Sequence, residues 1–153
     1  MRFDIPPPLR VEHEALHRQL VAATSVAGDV GAAAREVARV LHPHFVREEA
    51  FALPPLGLLT RLARGPATPD MAPVLEMTRQ LEAELPAMLD EHRTIVGALE
   101  RLVGAARAAG EADVEAFANA LILHAQTEED VMYPAAILVG HEVERAVAQG
   151  AKQ

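Results

Sequence analysis

The chain has 153 residues, of which 50% are apolar and 3% aromatic, and its formal net charge is −8 at pH 7. That length fits one compact domain, and the scarcity of aromatic side chains leaves its core to Leu, Ala, Val, Ile and Met, which favour or tolerate helix. The negative charge and scattered basic residues argue against nucleic acid or an anionic membrane as partner, and the lack of cysteine excludes disulfides, thiolate metal ligands and cysteine nucleophiles.

The first two predicted helices lie in the N-terminal half. Apolar residues at alternating spacings of three and four, the pattern of a helix with one buried face, run over residues 7–26 and 30–53. The second helix begins near Asp29, whose side chain suits a helix N-cap, and Pro54 is expected to end or kink it. The segment LGLLTRLARGPATPD then predicts a short helical piece and a loop.

The third and fourth predicted helices show the same periodicity over residues 70–108 and 111–148. Thr68 can cap the third helix, with Pro69 in its first turn, and Pro134 is expected to end or kink the fourth. Four helices of this length joined by short loops normally pack as antiparallel neighbours. The predicted fold class is therefore all-α, an up-down-up-down four-helix bundle that forms a single domain over residues 1–153.

Each predicted helix has its apolar stripe interrupted by residues that can bind metal. A buried carboxylate without a partner costs roughly several kcal/mol, so polar residues at core positions of all four helices call for a cation among them. A His and a Glu at i and i+4 share one helix face, about 6 Å apart along the axis, and two such pairs can hold two metals from opposite sides. The predicted metal ligands are His13, His44, Glu48, His92, His124 and Glu128.

The chain also repeats itself. HFVREEAFALP, from His44, and HAQTEEDVMYP, from His124, share the pattern HxxxEExxxxP at an offset of 80 residues, and VEHEAL and DEHRTI share a Glu-His pair. The two halves therefore resemble each other as helical hairpins. This predicts an internal pseudo-twofold repeat, with equivalent ligands from each half at a metal site on the axis.

These residues resemble the hemerythrin-like, or HHE cation-binding, family in the variant patterned H…HxxxE…H…HxxxE, and the match spans nearly the whole chain. The resemblance implies two iron ions bridged by the two glutamates and, when oxidised, by an oxo or hydroxo group, with the histidines completing each coordination sphere. Carboxylate and imidazole by themselves suit iron, manganese or zinc.

Two positions depart from the oxygen carriers of that family. The carriers have a second histidine four residues after the third-helix one, where this chain has Val96, and their last acidic ligand is often Asp, where this chain has Glu128. These departures argue against carrier-like, reversible oxygen chemistry.

Other residues near the pattern have two interpretations. His17 could supply a fifth imidazole or only flank the stripe, and Tyr133 could donate a hydrogen bond toward the metals or simply pack between helices. We expect His42 and His141 at the surface. The glutamates next to predicted ligands, Glu12, Glu91, Glu49 and Glu129, are also expected to face solvent. Of these, Glu12 and Glu91 could instead orient neighbouring groups.

A competing motif, HEALH, occupies residues 13–17 and matches the HExxH pattern. In that pattern two histidines of one helix bind zinc and the glutamate acts as general base. The motif is short enough to occur by chance, and it leaves most of the polar core residues unexplained. A zinc hydrolase is therefore the least favoured alternative.

The function predicted is that of a non-haem di-iron protein that binds or reduces O₂, peroxide or nitric oxide, with electrons from an outside donor. The alternative is an oxygen- or iron-sensing module without catalysis, which we expect less because the chain ends soon after the fourth helix. The N-terminus lacks the apolar core of a signal peptide, and no stretch approaches roughly 18 consecutive apolar residues, so we expect a soluble, cytoplasmic protein. No catalytic residue is predicted.

Overall fold

A computed structural model describes residues 3–150, and these form helices joined by short loops. The α-helices are α1 (Pro7–Thr24), α2 (Asp29–Arg47), α3 (Leu59–Leu62), α4 (Val74–Ala109), α5 (Ala112–Thr127) and α6 (Tyr133–Gly150). No strand occurs among residues 3–150, so the predicted all-α class is confirmed. The single-domain prediction also covers residues 1, 2 and 151–153, which lie outside the described residues.

Shorter helical turns complete the described part of the chain. There are also two π-helical turns. Glu48–Ala52 follows α2, and Glu128–Met132 joins α5 to α6. Two 3₁₀ turns lie at Pro54–Leu58 and Pro69–Met71. The first 3₁₀ turn and α3 form the short helical piece predicted before the loop. None of the described helices is long and apolar enough to cross a membrane.

Four of the α-helices surround a common interior, since α4 packs against both α2 and α5, and α1 packs against the same two helices. One apolar cluster fills the part of the bundle around Phe45, and a second lies around Tyr133. His13 stacks on Phe45, and His92 stacks on Tyr133, so the polar residues connect the two clusters. The structure is thus a helical bundle, while the up-down-up-down order and the internal repeat stay predictions.

Two helix starts differ from the predictions. Gly28, at φ 73°, is the N-cap of α2, and Asp29 is its first residue, because the left-handed conformation there suits glycine. The Asp29 carboxylate still favours the helix, since it lies at the positive end of the helix dipole. The predicted cap Thr68 makes no side-chain cap hydrogen bond; it opens the second 3₁₀ turn, and α4 begins only after Pro73.

Both helices that carry a His-xxx-Glu pair widen at the glutamate. The N–H of Leu53 donates to the carbonyl of Glu48 at 2.9 Å, and the N–H of Tyr133 donates to that of Glu128, which are five-residue spacings. A proline comes directly after each of these donors. A proline has no N–H and its ring crowds the carbonyl four residues earlier, which favours a wider π turn before it.

The two prolines have different effects on their helices. Pro54 starts a 3₁₀ turn, so the helix ends there as predicted. Pro134, in contrast, lies in α6, which continues to Gly150. The fourth predicted helix therefore runs through its proline and is interrupted only by the π turn.

Candidate metal centre

All six residues predicted as metal ligands are buried, with at most 4% of each exposed, and they converge in two overlapping groups. His44, Glu48, His92 and Glu128 place ligand atoms within 4.8 Å of one another; we call this group the His44 position. The second group, His13, His124 and Glu128, is the His13 position. Glu128 belongs to both groups, so the two positions are neighbours.

The His44 position is assembled from four elements, which are α2, α4 and the two π turns. His44 lies in the last turn of α2 and Glu48 begins the π turn, one helical turn apart, so the Nε2 atom of His44 lies 3.2 Å from Oε1 of Glu48. His92 enters from α4, and its Nε2 atom lies 2.8 Å from Nε2 of His44. The same atom lies 3.2 Å from Oε2 of Glu128. Two imidazoles and two carboxylates therefore face one another here.

The His13 position uses the other oxygen of Glu128. The Nε2 atom of His124 lies 2.7 Å from Oε1 of Glu128, again one helical turn apart, and the Nε2 atom of His13 lies 3.4 Å from that oxygen. The two Nε2 atoms lie 3.1 Å apart. Because Glu128 presents Oε2 to one position and Oε1 to the other, its carboxylate spans both.

A second set of carboxylates surrounds the histidines, and we call its members the four outer glutamates. The Nδ1 atom of His44 lies 2.6 Å from Glu91, and that of His92 lies 2.9 Å from Glu129. The other two distances are 3.3 Å, from His124 to Glu12, and 3.5 Å, from His13 to Glu49. A carboxylate at Nδ1 orients the ring and leaves Nε2 free to bind a metal.

The outer glutamates face solvent in part, as expected, and the orienting role left open for Glu12 and Glu91 agrees with their contacts to His124 and His44. They are half-buried or exposed, which is why their polar positions are typical of a surface, yet each contacts a core histidine. A signal was present in the repeat. Glu12 and Glu91 both precede a ligand histidine, while Glu49 and Glu129 both follow a ligand glutamate.

Burial and charge shift the ionisation of the cluster. Burial and the charge of Glu128 raise the pKa of Glu48, whereas the pKa of Glu128 is lowered because hydrogen bonds from His124, His13 and His92 outweigh its burial. Burial alone would lower the pKa of His124, but the hydrogen bond and the charge of Glu128 raise it to about 9. The two carboxylates thus require positive charge beside them, which protons or metal cations can supply.

The donor atoms fit metal ions. Within residues 3–150, His13 Nδ1 and Glu48 Oε2 are buried without a hydrogen-bond partner, and the buried Glu128 Oε1 has only the imidazoles of His124 and His13 beside it. Unpartnered buried carboxylate oxygens are costly, and coordination to a cation would satisfy them. Imidazole nitrogen and carboxylate oxygen are suitable ligands for iron.

Tyr133 contributes a hydroxyl to the His44 position. The side chain is 1% exposed, and its hydroxyl donates a hydrogen bond to Oε1 of Glu48. The hydroxyl oxygen lies 3.2 Å from Nε2 of His92 and 3.4 Å from Nε2 of His44. Burial and the charge of Glu48 raise the pKa of Tyr133, so it remains a neutral donor. Its hydroxyl thus contacts predicted metal ligands while its ring packs in the second apolar cluster, and a hydrogen bond toward the metals stays a prediction.

The remaining histidines lie outside both groups. His17 and His42 are exposed and line a cleft between α1 and α2, and His141 is exposed and contacts Glu82 at 2.7 Å. No potential metal-binding group within the described range contains both His13 and His17. The geometry therefore gives no support to a zinc site built on HEALH, and a ligand role for His17 stays a prediction.

One family model, described as the Hemerythrin HHE cation binding domain, matches residues 7–136. No curated protein and no solved structure matches the chain significantly. The matched segment includes all six core residues, the four outer glutamates and Tyr133. It also covers most of the chain, and the chain therefore belongs to the hemerythrin family of HHE cation-binding domains.

Proposed function

We propose that this protein holds two iron ions, one in the His44 position and one in the His13 position, and uses them to bind or reduce O₂, peroxide or nitric oxide. Electrons would come from an outside donor. The observation that supports this most directly is the presence of two buried groups of imidazoles and carboxylates that share Glu128. Iron bound there supplies a redox-active Lewis acid that can exchange electrons with these small molecules.

The side chains of the chain have separate roles in this proposal. The Nε2 atoms of the four core histidines bind the metals, two to each position. Glu128 links the two positions through its two oxygens. Glu48 completes the His44 position, and its Oε2 atom, which has no hydrogen-bond partner, remains available as a further metal ligand. Tyr133 keeps its proton and offers a hydrogen-bond donor beside the metal ligands.

The arrangement favours oxidation over reversible carriage. Each position receives two imidazoles, and Val96, at the place of the carriers' additional histidine, adds no ligand. The outer glutamates increase this preference, because a carboxylate at Nδ1 makes an imidazole a stronger donor and favours the more highly charged, oxidised metal. We therefore expect the reduced protein to be oxidised by O₂ and not to return the gas intact.

The test is to expose the anaerobically reduced, iron-loaded protein to O₂, follow its charge-transfer absorption, and then remove the gas. We expect the oxidised spectrum to persist until a reductant is added. A full return of the reduced spectrum on removal of O₂, over repeated cycles, would contradict the proposal and support reversible binding. The same protein mixed with peroxide or nitric oxide shows which of the three ligands reacts fastest.

A further inference from the structure

We infer that the two metal positions are unequal: the His44 position retains its metal, whereas the His13 position exchanges its metal with solvent through the cleft between α1 and α2. The inference rests on the proposed function, since it requires both positions to bind metal. Differences in three parts of the structure carry it. They are the support of the outer glutamates, the occupant of one matched core position, and the access from solvent.

The first difference begins with Arg47. Its guanidinium pairs with Glu91 and Glu84, both on α4, and Glu91 in turn contacts Nδ1 of His44 at 2.6 Å. An arginine held by two carboxylates is a well-ordered partner, because its planar fork matches their geometry. The histidine of the His44 position is therefore oriented by a glutamate that is itself fixed.

The other half of the chain lacks this support. The residue three positions after His124, matching Arg47, is Thr127, and its hydroxyl donates to a backbone carbonyl of its own helix. Glu12 is the counterpart of Glu91, and its side chain is 48% exposed, whereas that of Glu91 is 34% exposed. Glu12 lies 3.3 Å from Nδ1 of His124. No arginine or lysine of the described chain pairs with Glu12. The orientation of His124 is thus less firmly held.

The second difference lies at the residue five positions after each ligand glutamate. In the second half this is Tyr133, whose hydroxyl contacts Glu48 and two histidines of the His44 position. In the first half it is Leu53, which is fully buried and has no polar atom in its side chain. The His44 position therefore has a hydrogen-bond donor for which the His13 position has no counterpart in the repeat.

The third difference is access. A cleft of about 390 Å³ between α1 and α2 is lined by His13, and by none of the other core ligands among the described residues. Glu49, at its edge, is 53% exposed and lies 3.5 Å from Nδ1 of His13, which has no hydrogen-bond partner. Among the described core histidines, His13 is thus the one that lines the cleft and the one with the longest contact to an outer glutamate.

The cleft also has the chemistry for a passing cation. Besides Glu49, its lining includes the carboxylate of Glu14 and the imidazoles of His17 and His42, all of them potential ligands of a hydrated divalent ion. The guanidinium of Arg18 also lines the cleft, so its two carboxylates outnumber its one fixed positive charge. These side chains form no potential metal-binding group of three within residues 3–150. The cleft is therefore better suited to let a metal ion pass than to hold it. We therefore assign the cleft as the route by which Fe²⁺ enters and leaves the His13 position.

The experiment follows metal release from protein loaded anaerobically with Fe²⁺ alone, after addition of an excess of a ferrous chelator. We expect two phases of equal amplitude whose rates differ by about tenfold or more, given that partners of metal-binding histidines change metal affinity by about 10–100-fold. Crystals frozen after the fast phase should retain iron at the His44 position and have lost it from the His13 position. Iron retained at the His13 position would overturn the inference.

Three variants assign the phases, and all of them change residues that are at least partly exposed. Val46→Trp, which narrows the cleft, should slow the fast phase, whereas Leu138→Trp, an exposed site away from the cleft, should not. Arg47→Thr introduces the residue type found at the matching position of the other half, Thr127. It should speed the slow phase by about tenfold and leave the fast phase unchanged. An equal effect of the two tryptophans, or acceleration of the fast phase by Arg47→Thr, would overturn the inference.

The failure of this inference is distinguishable from failure of the proposed function. Two metals that leave at one rate would overturn the inequality of the positions and leave the two-metal centre intact. A single metal per chain in the loaded protein would overturn both.

Discussion

The hydroxyl of Tyr133 donates a hydrogen bond to Glu48, so the only tyrosine of the chain contacts a carboxylate predicted to bind metal. The contact joins α6 to the π turn that follows α2. Both side chains are almost completely buried, which makes the bond costly to break because the carboxylate would lose a donor that water cannot replace.

The first prediction concerns this bond. Tyr133→Phe removes the hydroxyl and keeps the ring, so we expect the metal-free protein to lose about 1–3 kcal/mol of stability in urea unfolding. The iron-loaded variant should still hold two metals but show a shifted spectrum or a changed rate of oxidation, since the hydroxyl lies beside the predicted ligands. An unchanged stability and an unchanged spectrum would show that the hydroxyl has no role.

The outer glutamates lead to a second prediction, for which the chain provides a matched control. Glu91→Gln replaces the carboxylate at Nδ1 of His44 with an amide, and we expect iron affinity to fall by about 10–100-fold in a competition with a chelator. Glu82→Gln changes a glutamate that contacts the surface residue His141 at a similar distance of 2.7 Å, and it should leave iron affinity unchanged. Equal affinities of the two variants would mean that the outer carboxylates do not support the metal ligands.

The third prediction is a pH dependence of the metal-free protein. The pKa of His124 is raised from an ordinary 6.5 to about 9, mainly by Glu128 acting against the effect of burial. A histidine with a raised pKa stabilises the fold fully below its unfolded pKa, and that stabilisation is lost as pH rises through the folded value. The melting temperature without metal should therefore fall between about pH 6.5 and 9, by roughly 5–10 °C.

The iron-loaded protein supplies the comparison for that pH series. Metal binding requires deprotonated imidazoles, so the stabilisation by iron should grow as pH rises over the same interval. The separation between the two melting curves should widen toward pH 9. Melting temperatures that coincide with and without iron at all pH values would contradict the placement of the metals among these residues.

A fourth prediction concerns His17, which is exposed at the cleft and outside both groups of ligand atoms. His17→Ala should retain both irons at equilibrium, because the six core residues remain. His44→Ala should lose most of its metal, because it removes a buried imidazole from the centre of the His44 position. If metal analysis found that His17→Ala lost iron to the same extent, His17 would be a ligand.

The core of the site could be predicted from the sequence because its ionisable residues occupy positions that the helical pattern requires to be buried. A histidine or glutamate on an otherwise apolar stripe must be buried, and burial requires a partner. The positions of His44, Glu48, His124 and Glu128 satisfy both the helical spacing and that requirement, and the structure brings them together as expected.

The outer glutamates could not be identified by the same argument, because they lie on the polar side of each stripe and remain partly in water. Glu91, for example, reaches inward only because Arg47 and His44, from another helix, are there to contact it. The π turns cannot be predicted from the sequence for a different reason. They insert one extra residue into a helical turn, which hydrophobic periodicity cannot distinguish from a small irregularity, although Pro54 and Pro134 mark both of them.

The iron content of the purified, reconstituted protein tests the central claim most directly. We expect about two irons per chain, and loss of the iron of the His13 position in His124→Ala, because His124 belongs to that position and contacts its Glu128 carboxylate at 2.7 Å. One zinc per chain that is unaffected by His124→Ala would contradict the two-metal centre.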